Sequence, residues 1–165
     1  MKTGIIIAMD KEFSRVKALL TSTEESIING RRYVTGRLGD NRIVLHQCGI
    51  GKVNAAIGAT EMISAFGPDA IVSTGVAGGA STALNVCDVV VARQTCYHDA
   101  YCGSEVDYGQ IIGLPARFEA DTRLLECANS IDCGTPIHTG LTVTGDWFVD
   151  SREKMSQILD RFPEA

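Results

Sequence analysis

The sequence has no cluster of lysine and arginine beyond the pair Arg31-Arg32, and its formal net charge is −5. Phosphate backbones are held by concentrated positive charge, so no nucleic-acid partner is expected, while a small neutral or anionic ligand stays open. No apolar run approaches the length that a membrane crossing needs, so no membrane partner is expected either. Met1 to Gly4 runs straight into an apolar strand without signal-peptide anatomy, which leads to the expectation of a reducing, cytoplasmic location. Six cysteines are present (Cys48, Cys87, Cys96, Cys102, Cys127 and Cys133), but none forms a Cys-x-x-Cys pair. His98, between Cys96 and Cys102, completes no metal-ligand spacing. Disulfides, metals and cofactors are therefore not expected. A Gly-x-Ser-x-Gly elbow is also lacking, which argues against a serine hydrolase. No internal repeat or linker divides the 165 residues, a length that suits one domain over 1–165.

What is present alternates between two periods. Gly4 to Met9 is a continuous β-branched run that reads as a strand buried on both faces, and Phe13, Val16, Leu19 and Leu20 then recur at helical spacing. Arg31 to Leu38 and Arg42 to Cys48 read as a hairpin about Gly39-Asp40-Asn41. Val53 to Phe66 is an Ala-rich helix that Gly67-Pro68 ends. Ala70 to Thr74, Asp88 to Gln94 and Ile137 to Thr144 read as strands, and helices are expected over Asp121 to Ala128 and Arg152 to Phe162. Residues 101 to 118 read as one long loop, a length that in compact domains is usually functional. The pattern implies an α/β fold, a three-layer sandwich around a central mixed, largely parallel sheet. Ligands of such sheets bind beyond the C-terminal strand ends, where Met9 to Glu12, Cys48 to Lys52, Gly75 to Gly79 and Gly145 to Val149 all fall.

Each of these segments has a plain reading beside a chemical one. Gly49-Ile50-Gly51-Lys52-Val53-Asn54 fails as a P-loop, because Val53 follows the lysine, and as a dinucleotide fingerprint, because Asn54 replaces the third glycine. It is either a glycine turn opening a helix or a helix start facing an anion or ribose oxygens. Thr74 to Gly79 packs three glycines after a buried strand, either as a turn or so that backbone N–H groups can approach a flat ligand. Glu12 is by itself an acidic residue favoured at a helix start; within reach of a water it would serve as a general base. Trp147 and Phe148 are aromatics more often found in cores, yet paired in a polar turn they can stack on a base.

Taken in order, these segments resemble the methylthioadenosine/S-adenosylhomocysteine nucleosidases of the nucleoside phosphorylase superfamily. The matching residues are Gly4-Ile5-Ile6, Ala8-Met9 and Glu12, then Gly49-Ile50-Gly51-Lys52-Val53 with Ala55-Ala56. Thr74-Gly75 with Ala77-Gly78-Gly79, Tyr97-His98-Asp99-Ala100, Tyr108-Gly109-Gln110 and Gly145-Asp146 with Phe148 complete the set. The resemblance implies a nucleoside phosphorylase-like fold and hydrolysis of an N-glycosidic bond, releasing adenine and a 5′-thio-substituted ribose. It implies that Glu12 deprotonates the attacking water, that Phe148 stacks on adenine, and that the Val149 backbone bonds the edge of the base. Met9 and Ile50 would lie against the ligand, and Ala77-Gly78 would line the pocket beside ribose and base. It further implies a homodimer in which the loop Ile111 to Pro115, with Ile112 and Pro115, covers the neighbour's 5′-thio pocket.

Two departures from the family pattern are visible. Val76 stands where the family commonly has serine, which removes a hydroxyl beside the ribose and water. The family chain also continues into a strand ending in Met-Glu, which grips the ribose, and then to an Asp that protonates adenine. This sequence ends at Arg161-Phe162-Pro163-Glu164-Ala165, so a C-terminally incomplete domain is expected. Three alternatives stand beside the hydrolase. A phosphorylase would bring an arginine before the pocket glycines, where Ser73-Thr74 stands instead. A futalosine-type nucleosidase would keep the chemistry and change the 5′ group. A non-catalytic remnant would bind adenine or a partner subunit without turnover.

Overall fold

The computed structural model describes residues 1–165, whose contacts group into two compact units, Met1–Ala77 and Gly78–Ala165. The N-terminal unit is built from β1 (Lys2–Ile7), α1 (Asp10–Lys17), β2 (Thr21–Ile28), β3 (Arg31–Leu38), β4 (Asn41–Gln47), α2 (Lys52–Phe66) and β5 (Ala70–Ser73). Its five strands form one mixed sheet in the order β2-β3-β4-β1-β5. β1 pairs parallel with β4 and β5, and the hairpin strands β2, β3 and β4 pair antiparallel toward one edge.

Strand alternation decides which side chains meet which helix. Ile6, Tyr33 and Val44 point to one face and pack with Met62, Ala55, Ala59 and Phe66 of α2. Their neighbours Ile7, Val34, Ile43 and Leu45 point to the other face and pack with Phe13 and Val16 of α1 and with Leu20. The result is three layers, helix, sheet and helix, as the continuous apolar run of β1 leads one to expect.

The C-terminal unit holds β6 (Val89–Tyr97), β7 (Phe118–Glu119), α3 (Thr122–Asn129), β8 (Ile137–Thr144) and α4 (Arg152–Leu159). Its sheet has the order β7-β6-β8, with β6 and β8 parallel and β7 antiparallel. Cys96, Leu141, Ile158 and Phe162 form its core, with Tyr108, Val143 and Val149 packed against them. α3 is capped by Asp121, whose carboxylate accepts the Arg123 and Leu124 N–H groups, and α4 by Ser151.

The structure corrects the sequence reading in a few places. β2 is not anticipated, because Thr21-Ser22-Thr23-Glu24-Glu25 is polar and exposed and shows no apolar alternation. Its charges suit an edge strand, which has to resist pairing with other chains. β7 is too short to leave a pattern. β6 runs on to Tyr97 instead of stopping at Gln94. α4 stops at Leu159, and a tight turn then carries Phe162 into the core, its N–H bonded to the Ile158 carbonyl at 2.9 Å. No helix is long and apolar enough to cross a membrane.

Candidate active site

Because β1, β4 and β5 run parallel, their C-terminal ends open on one edge of the N-terminal sheet. Three loops leave that edge: Ala8-Met9 into α1, Cys48 to Gly51 into α2, and Thr74 to Ala77 after β5. Gly49 and Gly51 sit at φ +88° and +102°, so the second loop needs glycine for its turn; Asn54 then donates to the Ile50 carbonyl at 2.8 Å.

Glu12 is the third residue of α1, and its half-buried carboxylate turns back over the end of β1. Oε2 accepts the N–H of Met9 at 3.1 Å, and Oε1 accepts the N–H of Val76 at 2.8 Å. The first bond satisfies a donor that a helix start leaves unpaired. The second ties the carboxylate to the loop after β5. Each oxygen keeps further acceptor capacity. A carboxylate fixed by two backbone donors at the sheet edge can orient a water molecule and take its proton. On the same edge Met9, Ile50 and Val76 are 38%, 73% and 79% exposed. Exposed apolar side chains beside a fixed polar group are the makings of a small-molecule site. Ala77 closes the same loop, also exposed.

The structure thus brings Glu12, Met9, Gly75 and Val76 into one cluster. Gly75 carries a role that the sequence reading gives to ligand approach: a Cβ built there would lie 3.0 Å from Glu12 Oε1. No spacing rule links residues 12 and 75. Val76, at the position of the family's serine, meets Glu12 through its backbone N–H, which any residue but proline supplies.

In the C-terminal unit the parallel strands β6 and β8 end side by side at Tyr97-His98-Asp99 and Thr144-Gly145-Asp146. His98 N–H donates to the Thr144 carbonyl at 2.8 Å, and Asp99 Oδ2 accepts the Asp146 N–H at 2.8 Å. Gly145 leaves room for the buried His98 ring, since a Cβ there would come within 2.5 Å of it. Trp147 and Phe148 then part company. Trp147 meets His98 edge to face at 5.2 Å, whereas the Phe148 ring is 81% exposed.

The Phe148 backbone is nonetheless held. Its carbonyl accepts from Lys154 Nζ at 3.1 Å, and Val149 packs on the core of the unit. Lys154 also pairs with Asp150 at 2.7 Å, and that hydrogen bond, followed by the ammonium charge, holds the Asp150 carboxyl below its ordinary value. Asp99 stands among the residues that carry the family resemblance, but its support of Asp146 and the Lys154 tie to Phe148 are not anticipated from sequence. The i,i+4 spacing of Asp150 and Lys154 was a readable signal, but nothing in the chain links Asp99 to Asp146.

Gly78 is exposed, and a Cβ built on it would meet the Met155 terminal methyl of α4 at 3.8 Å, an ordinary contact. The loop over 101–117 is shaped by its own bonds, Gln110 Nε2 to the Leu114 carbonyl at 2.8 Å and Leu114 N–H to the Ile111 carbonyl at 2.9 Å. Its tip leaves Ile112 and Pro115 exposed.

The phosphorylase superfamily model matches residues 2–165. A 5′-methylthioadenosine/S-adenosylhomocysteine nucleosidase of an Exiguobacterium species is 38% identical, over 98% of this chain and 71% of the relative. A Streptococcus pneumoniae MTA/SAH nucleosidase crystallised with 8-aminoadenine superposes with a TM-score of 0.94 at 35% identity, over 100% of this chain and 73% of that one. The Neisseria meningitidis nucleosidase in complex with methylthio-immucillin-A gives a TM-score of 0.93 at 34% identity, over 99% and 73%. With the three-layer sheet, the carboxylate at its edge and the match along nearly the whole chain in agreement, this protein belongs to the phosphorylase superfamily and, within it, to the methylthioadenosine/S-adenosylhomocysteine nucleosidases.

Proposed function

We propose that this chain hydrolyses the N-glycosidic bond of 5′-methylthioadenosine and S-adenosylhomocysteine, in the service of methionine salvage in the cytoplasm. The carrying observation is the Glu12 carboxylate, fixed by the Met9 and Val76 N–H groups at the sheet edge of a chain of this family. Glu12 takes a proton from water, the water oxygen bonds to the anomeric carbon, and adenine departs with the electrons of the broken C–N bond and takes up a proton from solvent. Phe148 is assigned to stack on adenine, and its exposed ring on a pinned backbone supports that role. The Val149 backbone is assigned to the edge of the base. Met9, Ile50, Val76, Ala77 and Gly78 are assigned to line the pocket.

The homodimer belongs to the same proposal. Ile112 and Pro115 stand at an exposed apolar loop tip, which suits covering a neighbour's 5′-thio pocket. Water is favoured over phosphate as nucleophile, because Ser73-Thr74 precedes the pocket glycines and supplies no cationic donor for an anion. Adenine release from methylthioadenosine should proceed at the same rate with and without phosphate. Strict dependence on phosphate would sink the hydrolase reading.

A further inference from the structure

The Thr74–Ala77 loop passes closer to Glu12 than a hydrogen bond alone requires. A Cβ built on Gly75 would lie 3.0 Å from Glu12 Oε1 and 3.3 Å from both Cδ and Oε2, and these are its three nearest atoms. Gly75 is not among the glycines with positive φ, so backbone conformation does not demand glycine at this position. Space does. The missing Cβ is filled by the carboxylate, and that close approach lets the next residue's N–H reach Oε1 at 2.8 Å.

We propose that Gly75 is a positioning residue for the reaction, one that lets the loop after β5 clamp the Glu12 carboxylate against the end of β1. This rests on the nucleosidase reading of Glu12. An alanine at 75 pushes on the far end of a flexible side chain, so the effect falls on the carboxylate's position more than on the fold. Glu12 must give way by a few tenths of an ångström, out of the position in which it meets the Val76 N–H and would hold a water. Displacements of about 1 Å at a reacting group cost roughly 100-fold in rate, so a shift of this size should cost about tenfold.

The test is a graded series in the full chain, Gly75→Ala and Gly75→Val, each also made together with Glu12→Gln. The expected result is a kcat lower by about tenfold for alanine and by more for valine, with KM within about twofold of the parent. In the Glu12→Gln background the same changes should have almost no further effect, because two residues acting through one group do not add. An activity-independent readout runs beside the kinetics. The protection of the Val76 amide against hydrogen exchange should fall in Gly75→Ala, and fall further in Gly75→Val, as its bond to Glu12 weakens.

A Gly75→Ala enzyme with parental kcat, an equal loss in both backgrounds, or a Val76 amide protected as in the parent in both Gly75→Ala and Gly75→Val would each overturn the proposal. If the parent chain releases no adenine, it is the nucleosidase reading that falls. The amide measurement then still decides whether Gly75 holds the carboxylate in place.

Discussion

The two units use similar strands in different ways. Ile5-Ile6-Ile7 of β1 and Val89-Val90-Val91 of β6 are equally apolar in sequence. In the N-terminal unit a helix covers each face, and Ile6 and Ile7 are both buried, on opposite sides. In the C-terminal unit one small core gathers around Cys96, Leu141, Ile158 and Phe162, while Val89 and Val90 remain exposed. Burial on two faces fixes a backbone more firmly than burial on one, since each face adds packing that local opening must break. The carboxylate assigned to proton transfer sits on the firmer unit, where small displacements matter most. The aromatic platform assigned to adenine sits on the more open one, where a ring face tolerates some movement.

Substitutions at the two proposed groups sharpen this contrast most. Glu12→Gln should lower kcat for adenine release by about 10²–10⁴ and leave KM nearly unchanged, because only the proton-accepting group is lost. Steady-state kinetics with methylthioadenosine would show it, and a normal kcat would break the assignment. Phe148→Ala should act the other way, raising KM about 10- to 100-fold through lost stacking of roughly 1–3 kcal/mol. Its melting temperature should hardly move, since the ring packs on little else. A large drop in melting temperature would mean that Phe148 is structural.

The smallest effect expected is one of pH, and it should belong to the N-terminal unit. His46 is buried, stacks on Tyr33 at 4.3 Å, and donates from Nδ1 to the Arg32 carbonyl at 2.9 Å. Nε2 has no partner, so a proton placed there would be a buried donor without an acceptor. Burial accordingly pushes the His46 pKa below its ordinary 6.5. The unfolded chain binds this proton more readily, so stability is full above pH 6.5 and declines as pH falls through that value toward the folded pKa. Tyr33 acts at the alkaline end. Burial first, then its hydrogen bond to Glu61 at 3.1 Å, raises its pKa to about 12, so stability is lost as pH climbs past 10. Thermal melts of the parent and of His46→Leu should diverge between pH 7.5 and 5, with the parent falling faster. Parallel curves would show that His46 carries no such linkage.

The chain order of elements was legible because periodicity reports burial. The run Gly4 to Met9, the hairpin about Gly39-Asp40 and the helix ending at Gly67 all lie within a residue or two of their observed bounds. β2 was not legible, because an exposed edge strand buries nothing and so leaves no apolar pattern. The candidate site was legible in pieces. Glu12, Ile50, Val76 and Phe148 each stand just past a strand or at a helix start, positions that local pattern can mark.

Sequence alone determined the α/β class, the strand ends from which the site grows and, through its ordered motifs, the family. Tertiary structure decided what holds the site. The bond from Val76 N–H to Glu12, the space that Gly75 leaves for that carboxylate, the Asp99 clasp on Asp146 and the Lys154 tie to Phe148 all arise only in the folded chain. The physical reason is range. Periodicity and turn chemistry act over a few residues, whereas the Glu12–Val76 and Asp99–Asp146 partners are 64 and 47 positions apart and meet only because parallel strands bring their ends to one edge.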